Sequence, residues 1–312
     1  MRCHPARVSK PTVVALFGPT GIGKTAVAVA LAERLREHGE SPVAISADAL
    51  QLYRGLGVLT GAPTVADQAR LEHRLVGVLP VTAHASAGEY ARLAHAEIDG
   101  ALDAGRRPIV VGGTGLYLRA ALADLDLRPP PAPGVRDRWT ARLAAEGAPA
   151  LHARLMTRDP AAAAALAPTD GRRVVRALEL LDSGATPPPE RAEQLWTTDT
   201  RRPTLLVALV MQRPALYARI DARVAAMVAD GAEEEVRRAV AAGASAGARQ
   251  ALGFAELLRG DVEAMRTRTR RYAKRQLTWL RKLPGTLPID MTGRKPDDVA
   301  AEIAAALARR EG

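Results

Sequence analysis

The stretch Gly18-Pro19-Thr20-Gly21-Ile22-Gly23-Lys24-Thr25 follows the apolar run Val13 to Phe17 and precedes the amphipathic run Ala26 to Arg36. A buried strand therefore enters a glycine-rich turn and then the positive end of a helix, where converging backbone N–H groups make a phosphate cradle. The spacing fits G-x-x-x-x-G-K-[ST], in which Lys24 reaches the outer phosphate and the Thr25 hydroxyl ligates Mg²⁺. A chance glycine turn is the alternative, but it does not require strand, loop and helix in this order. The motif specifies phosphates and leaves the reaction open.

Working outward, Val43 to Ser46 reads as a second buried strand ending at Ala47-Asp48. Asp48 thus falls at the carboxyl end of a strand, where open parallel sheets bind ligands, and an acid there serves as a base or a metal partner. The plainer reading is a loop or N-cap acid. Residues 51 to 88 carry Gly55, Gly57, Gly61 and Pro63 and read as a long substrate-side loop region. His73 and His84 lack a third ligand nearby, so no metal site is expected there. Glu89 to Ala104 has helical spacing closed by Gly105. A third strand, Pro108 to Val111, runs into Gly112-Gly113-Thr114-Gly115 and a helical stretch to Leu122. An ATPase strand here would end in an acid. The glycines and Thr114 suit close approach to a bound diphosphate, or simply a tight turn; the segment alone leaves both open.

The proline-rich Arg128 to Pro133 marks a boundary, after which only helical patterns occur: Val135 to Glu146, Ala150 to Met156, Pro160 to Leu166 and Asp170 to Leu181. Pro187-Pro188-Pro189 and the polar Thr197 to Arg202 lead back to a strand, Thr204 to Val210. Thr286 to Ile289 reads as the last strand and Pro296 to Arg310 as the last helix. The expected architecture is α/β: a P-loop NTPase-like parallel sheet in residues 1–127 and 198–312, with an all-helical insert over 128–197.

At 312 residues and 47% hydrophobic content the chain can bury a large core, filled mainly by alanine and leucine because aromatics are only 3%. The lone Cys3 excludes an internal disulfide and a cysteine metal site. No 18-residue apolar run occurs, so a soluble, cytoplasmic protein without a membrane partner is expected; a monomer is the default expectation, which no sequence feature decides. Net charge is +10. Arg266, Arg268, Arg270, Arg271, Lys274, Arg275, Arg281 and Lys282 fall in a stretch with no acid, together with Tyr272 and Trp279. A helix of that composition suits the backbone phosphates of a nucleic acid; the alternative is an ordinary solvated face.

Six stretches in order resemble the tRNA dimethylallyltransferases, or tRNA isopentenyltransferases: GPTGIGKT at 18–25, DALQLYRG at 48–55, VGGTGLY at 111–117, PTDGRRVVRALE at 168–179, LGFAE at 252–256 and YAKRQLTW at 272–279. The resemblance covers nearly the whole chain. It implies transfer of a dimethylallyl group from dimethylallyl diphosphate to N6 of the adenine 3′-adjacent to the anticodon, in tRNAs reading codons that begin with U. It also implies that the P-loop holds an isoprenoid diphosphate, so that no acid is required after the third strand. By the same resemblance Asp48 is the general base. Lys24, Thr25 with Mg²⁺, Arg213 and Arg219 stabilise the leaving diphosphate, and Thr114 assists at the bridging oxygen. The loop from Gly18 through Pro19, Thr20, Gly21, Ile22 and Gly23 to Thr25 binds diphosphate. Asp48, Ala49, Leu50 and Gln51 meet the target nucleotide, and Arg136 sits at the family's tRNA-contact position. Arg172, Arg173 and Arg176 are candidates for the anticodon loop, unless they form ion pairs within the insert, and Lys274 and Arg275 extend the RNA surface. A flipped target base is expected.

Departures from the family pattern are Ala49 in place of Ser, Ala62 in place of Lys, His73-Arg74-Leu75-Val76-Gly77 in place of HHLID, and Gly21-Ile22 where Ala-Ser is frequent. They leave the base and the diphosphate loop intact. Three rivals are a nucleotide or small-molecule kinase, an adenylate isopentenyltransferase using free nucleotide, and a non-catalytic RNA-binding protein with a relict P-loop. The basic stretch argues against the first, the helical insert and the basic C-terminal helix against the second, and Lys24, Thr25, Asp48 and Thr114 together against the third.

Overall fold

The structure, a computed structural model, describes residues 11–128, 131–185 and 194–312. Met1 to Lys10 with Cys3, the prolines Pro129 and Pro130, and the run Pro187 to Pro189 lie outside the described residues. The described part falls into two compact units, one of residues up to Leu125 and from Leu195 onward, the other Asp126–Gln194.

The first unit opens with β1 (Val13–Phe17), the P-loop and α1 (Lys24–Glu37), followed by β2 (Pro42–Ser46). Residues 51 to 88, expected as loop, contain two short helices, α2 (Gly57–Thr60) and α3 (Val65–Arg70), and a two-residue strand, β3 (His73–Arg74). These elements are too short to show a hydrophobic period, which is why sequence spacing does not reveal them. Next come α4 (Ala87–Asp103), β4 (Arg107–Gly112) and α5 (Gly115–Leu122). The start of α4 is fixed by a capping box: Ser86 Oγ accepts the Glu89 N–H at 3.1 Å, and the Glu89 carboxylate accepts the Ser86 N–H at 3.1 Å.

The second unit is four helices, α6 (Val135–Glu146), α7 (Ala148–Arg158), α8 (Pro160–Ala164) and α9 (Gly171–Asp182). They close on their own core of Trp139, Leu151, Leu155, Val174 and Leu178. The expected insert ran from 128 to 197; the compact unit runs from 126 to 194.

The first unit resumes with β5 (Thr204–Val210), α10 (Arg213–Ala229), α11 (Ala232–Ala241) and the single turn α12 (Phe254–Leu257). It ends with α13 (Val262–Leu280), β6 (Leu287–Asp290) and α14 (Pro296–Glu311). The six strands form one parallel sheet in the order β3-β2-β4-β1-β5-β6. Every residue of β1 and β2 is buried, as expected of strands covered on both faces by helices.

Register decides what meets at the edge of the sheet. Phe17 pairs with Gly112 on one side and Ala208 on the other, and Ser46 pairs with Val111. These strands therefore end together. The P-loop, Asp48, the Gly113-Thr114 turn and the start of α10 leave the sheet side by side.

Candidate active site

A cavity of about 310 Å³ opens at this edge. One end is built from the P-loop residues Thr20, Gly21, Gly23, Lys24, Thr25 and Ala26, and Asp48, Leu50, Gln51, Thr60, Gly61 and Gly112 form a second side. From the other direction α10 contributes Arg223, Val224 and Met227, and α13 contributes Met265, Thr269, Tyr272 and Gln276. The α13 residues are spaced by three or four, so one face of that helix lines the cavity from end to end.

Within the P-loop, Gly21 and Gly23 adopt positive φ values of 80° and 102°, which a side chain would make costly. Lys24 Nζ donates to the Gly18 carbonyl at 3.0 Å and the Pro19 carbonyl at 3.1 Å. Gly18 and Pro19 thus serve the site by holding Lys24 and do not line the cavity, while the Ile22 side chain is wholly buried in the core. Burial, and then the nearby Arg223 guanidinium, lower the Lys24 pKa to about 8, with Asp48 pulling the other way.

Asp48 lies two residues beyond β2, and its Oδ1 accepts the Leu50 N–H at 2.9 Å, which fixes the carboxylate. Gln51 is held at both ends of its amide: Oε1 accepts the Ser46 hydroxyl at 2.9 Å, and Nε2 donates to the Gly61 carbonyl at 3.2 Å. Ala49 does not line the cavity, whereas Leu50 and Gln51 do.

The arginines divide differently from the sequence expectation. Arg213 is exposed at the start of α10 and lies outside the cavity lining. Arg219 Nε donates to the Gly21 carbonyl at 2.9 Å, so it braces the P-loop from outside. One turn further, Arg223 enters the cavity itself. Its Nη2 donates to the Thr60 and Gly61 carbonyls at 3.3 and 3.4 Å, while its buried Nε has no partner among the described residues. Burial pushes the Arg223 pKa down and Asp48 raises it. The sequence reading missed Arg223; its only signal was the i, i+4 spacing from Arg219, which places both on one helix face.

Thr114 occupies the N-cap position of α5 without a side-chain capping bond and lies outside the cavity lining, and its Oγ1 lies 3.2 Å from the Tyr272 hydroxyl. Tyr272 does line the cavity, and burial raises its phenol to about 12. The glycines of this turn are required by protein contacts. A Cβ on Gly113 would lie 2.3 Å from Gln276 Nε2, and one on Gly115 would lie 2.1 Å from the Trp279 ring.

Gln276 is a second residue the sequence reading did not single out. His73 lines the cavity, with Nδ1 2.6 Å from the Leu71 carbonyl, and burial lowers its pKa. Among the described residues no cluster of three His, Cys, Asp or Glu is placed to hold a metal. Thr25 lines the cavity beside Lys24, and a hydroxyl is a donor type that suits a hard cation such as Mg²⁺.

The basic stretch is less free than its sequence suggests. Arg266, Arg268 and Arg270 pair with Glu263, Glu256 and Asp221, acids outside the counted stretch. Lys274 and Arg275 are exposed on α13, with Arg275 5.5 Å from the centre of the Tyr272 ring. In the second unit Arg136 and Arg176 both bind Glu179, which is 1% exposed. Arg173 approaches Asp170 at 3.5 Å, and Arg172 is exposed.

Comparison with known proteins gives this geometry a family. The model described as IPP transferase matches residues 51–283, and one described as isopentenyl transferase matches residues 11–76. A tRNA dimethylallyltransferase of Thermobifida fusca is 43% identical over 293 residues, covering 89% of this chain and 90% of its own. The full-length tRNA isopentenylpyrophosphate transferase of Bacillus halodurans superposes with a TM-score of 0.68 at 32% identity, covering 97% of this chain and 98% of its own. A eukaryotic dimethylallyltransferase acting on tRNA shares the fold with a TM-score of 0.73 at 23% identity, covering 95% of this chain and 77% of its own. The chain belongs to the IPP transferase family.

Proposed function

We propose that this protein transfers the dimethylallyl group of dimethylallyl diphosphate to N6 of the adenine 3′-adjacent to the anticodon, in tRNAs reading codons that begin with U. The observation that carries this reading is the convergence of Lys24, Arg223 and Asp48 on one cavity, beyond a strand β4 that ends in glycine without an acid. Two cations and a P-loop suit a diphosphate. A single carboxylate at the neighbouring strand end suits an incoming N–H.

In the reaction the allylic carbon–oxygen bond breaks as the bond from N6 to that carbon forms. Diphosphate leaves with the bonding pair, and Asp48 takes the N6 proton. An exocyclic amine conjugated with a purine is a weak nucleophile, so its alignment and its proton acceptor carry much of the catalysis. Lys24 and Arg223 meet the charge that grows on the leaving oxygens. Thr25 would hold Mg²⁺, which when bound supplies further neutralisation of the diphosphate. Tyr272 and Thr114 form a hydroxyl pair beside the same turn.

The tRNA is met by the exposed Lys274 and Arg275 of α13 and, on the helical unit, by Arg172 and Arg173. Arg136 and Arg176 contribute by building that unit. Work on tRNA implies a cytoplasmic location, and no described helix is long and apolar enough to cross a membrane.

The test is incubation with Mg²⁺ and unmodified tRNA, with isoprenoid-labelled dimethylallyl diphosphate in one tube and γ-labelled ATP in another. Isoprenoid label entering tRNA without ATP supports the reading. Label entering free AMP or ADP alone, or phosphate moving from ATP, overturns it.

A further inference from the structure

Three consecutive residues of the turn after β4 are each met by one side chain of α13. Gln276 Nε2 donates to the Gly113 carbonyl at 2.7 Å, Tyr272 pairs with Thr114, and the Trp279 ring covers Gly115. Gln276 does more than the other two. Its Oε1 accepts the backbone N–H of Thr20 in the P-loop at 2.9 Å. One buried amide, 5% exposed, therefore spans the two glycine turns that flank the P-loop end of the cavity.

We propose that Gln276 is a positioning residue for the diphosphate: it sets the separation and orientation of the P-loop and the Gly113 turn, and through them the place of Lys24. The proposal rests on the reading that this cavity takes a diphosphate. The amide orientation is dictated, because the reverse would set oxygen against the Gly113 carbonyl and NH₂ against the Thr20 N–H. The two turns touch closely here: a Cβ on Gly113 would lie 3.1 Å from the Gly18 carbonyl and 3.3 Å from Lys24 Nζ. That same Gly18 carbonyl holds the Lys24 ammonium. Loss of the strap releases one turn relative to the other, and with it the group that must meet the phosphates.

The choice of residue follows from two requirements. The site needs a donor and an acceptor on one short arm, and it needs no negative charge beside a group destined for an anion. Glutamine meets both. Glutamate keeps the acceptor for Thr20, loses the donor to Gly113 while ionised, and adds repulsion toward the ligand.

The experiment measures binding of inorganic diphosphate with Mg²⁺ by calorimetry, together with steady-state kinetics and thermal melting, for wild type, Gln276→Glu and Gln276→Met. The expected result at pH 8 is a loss of diphosphate affinity of about tenfold or more in Gln276→Glu, with a smaller loss in Gln276→Met. The KM for the allylic diphosphate rises in step while the KM for tRNA is unchanged. As pH falls toward 5.5 the deficit of Gln276→Glu relative to wild type narrows, because a protonated carboxyl again donates to Gly113. A residue that served stability alone would lower Tm and leave diphosphate affinity unchanged in both variants; that result overturns the proposal. Failure of wild type itself to bind diphosphate overturns instead the reading of the cavity on which the proposal rests.

Discussion

The Arg223 guanidinium stands close enough to the Lys24 ammonium to lower its pKa, adding to the larger effect of burial, while the Asp48 carboxylate acts on both cations in the opposite direction. A bound diphosphate would reverse this lowering of the Lys24 pKa. The reversal makes binding pH-dependent. With the free Lys24 pKa at about 8, and a bound diphosphate favouring the charged form, binding above that pH must take up a proton. The dissociation constant for diphosphate should therefore rise about tenfold per pH unit from roughly pH 8.5 upward. Lys24→Arg, which keeps its charge, should flatten that profile, as read by calorimetry across the range. In the free protein the sign is complementary. The unfolded chain holds the Lys24 proton more tightly, so this group makes stability rise with pH between about 8 and 10.5.

Tyr272 and Thr114 share one hydroxyl contact at 3.2 Å. Tyr272→Phe and Thr114→Val should each lower kcat by about fivefold, the worth of one enclosed hydrogen bond. The double variant should lose little more than either single one, because both remove the same contact. Additive losses would show that the two hydroxyls act separately.

Glu235 is buried, and its carboxylate accepts the N–H groups of Val58 at 3.1 Å and Leu59 at 2.9 Å. It thereby anchors the segment whose Thr60 and Gly61 carbonyls hold Arg223 and Gln51. Glu235→Ala should destabilise the protein by about 1–3 kcal/mol and weaken catalysis at saturating substrates. Glu235→Gln, which retains an acceptor, should recover part of both, as followed by thermal melting and kcat.

The insert arginines separate into two kinds by one comparison. Arg136→Ala leaves the buried Glu179 with a single partner, so it should lower the unfolding free energy of the second unit by about 1–3 kcal/mol. Arg172→Ala and Arg173→Ala should leave stability nearly unchanged while reducing tRNA affinity and the steepness of its salt dependence. Filter binding at several salt concentrations, with hydrogen exchange on α6 and α9, distinguishes the two outcomes.

What was legible in the sequence follows a physical divide. The P-loop and β5 announce themselves because a doubly covered parallel strand must be continuously apolar and a phosphate turn must carry glycines. Asp48 was placed by the strand before it. Arg223 was not, because choosing it over Arg213 and Arg219 depends on which turn of α10 faces the cavity, a matter of packing between helices far apart in sequence. Gln276 was hidden for a related reason. A buried glutamine takes its meaning from Thr20 and Gly113, which lie 256 and 163 residues away. The basic run overstated the free charge of α13, since Glu256 and Asp221 come from other elements.

In the proposed reaction Asp48 accepts the proton of the attacking amine while the P-loop and Arg223 hold the diphosphate. Single-turnover transfer by Asp48→Asn, with tRNA and dimethylallyl diphosphate both saturating, tests it most directly. Both substrates should still bind with near wild-type affinity while the transfer rate falls by about a hundredfold or more. A transfer rate equal to that of wild type would contradict it.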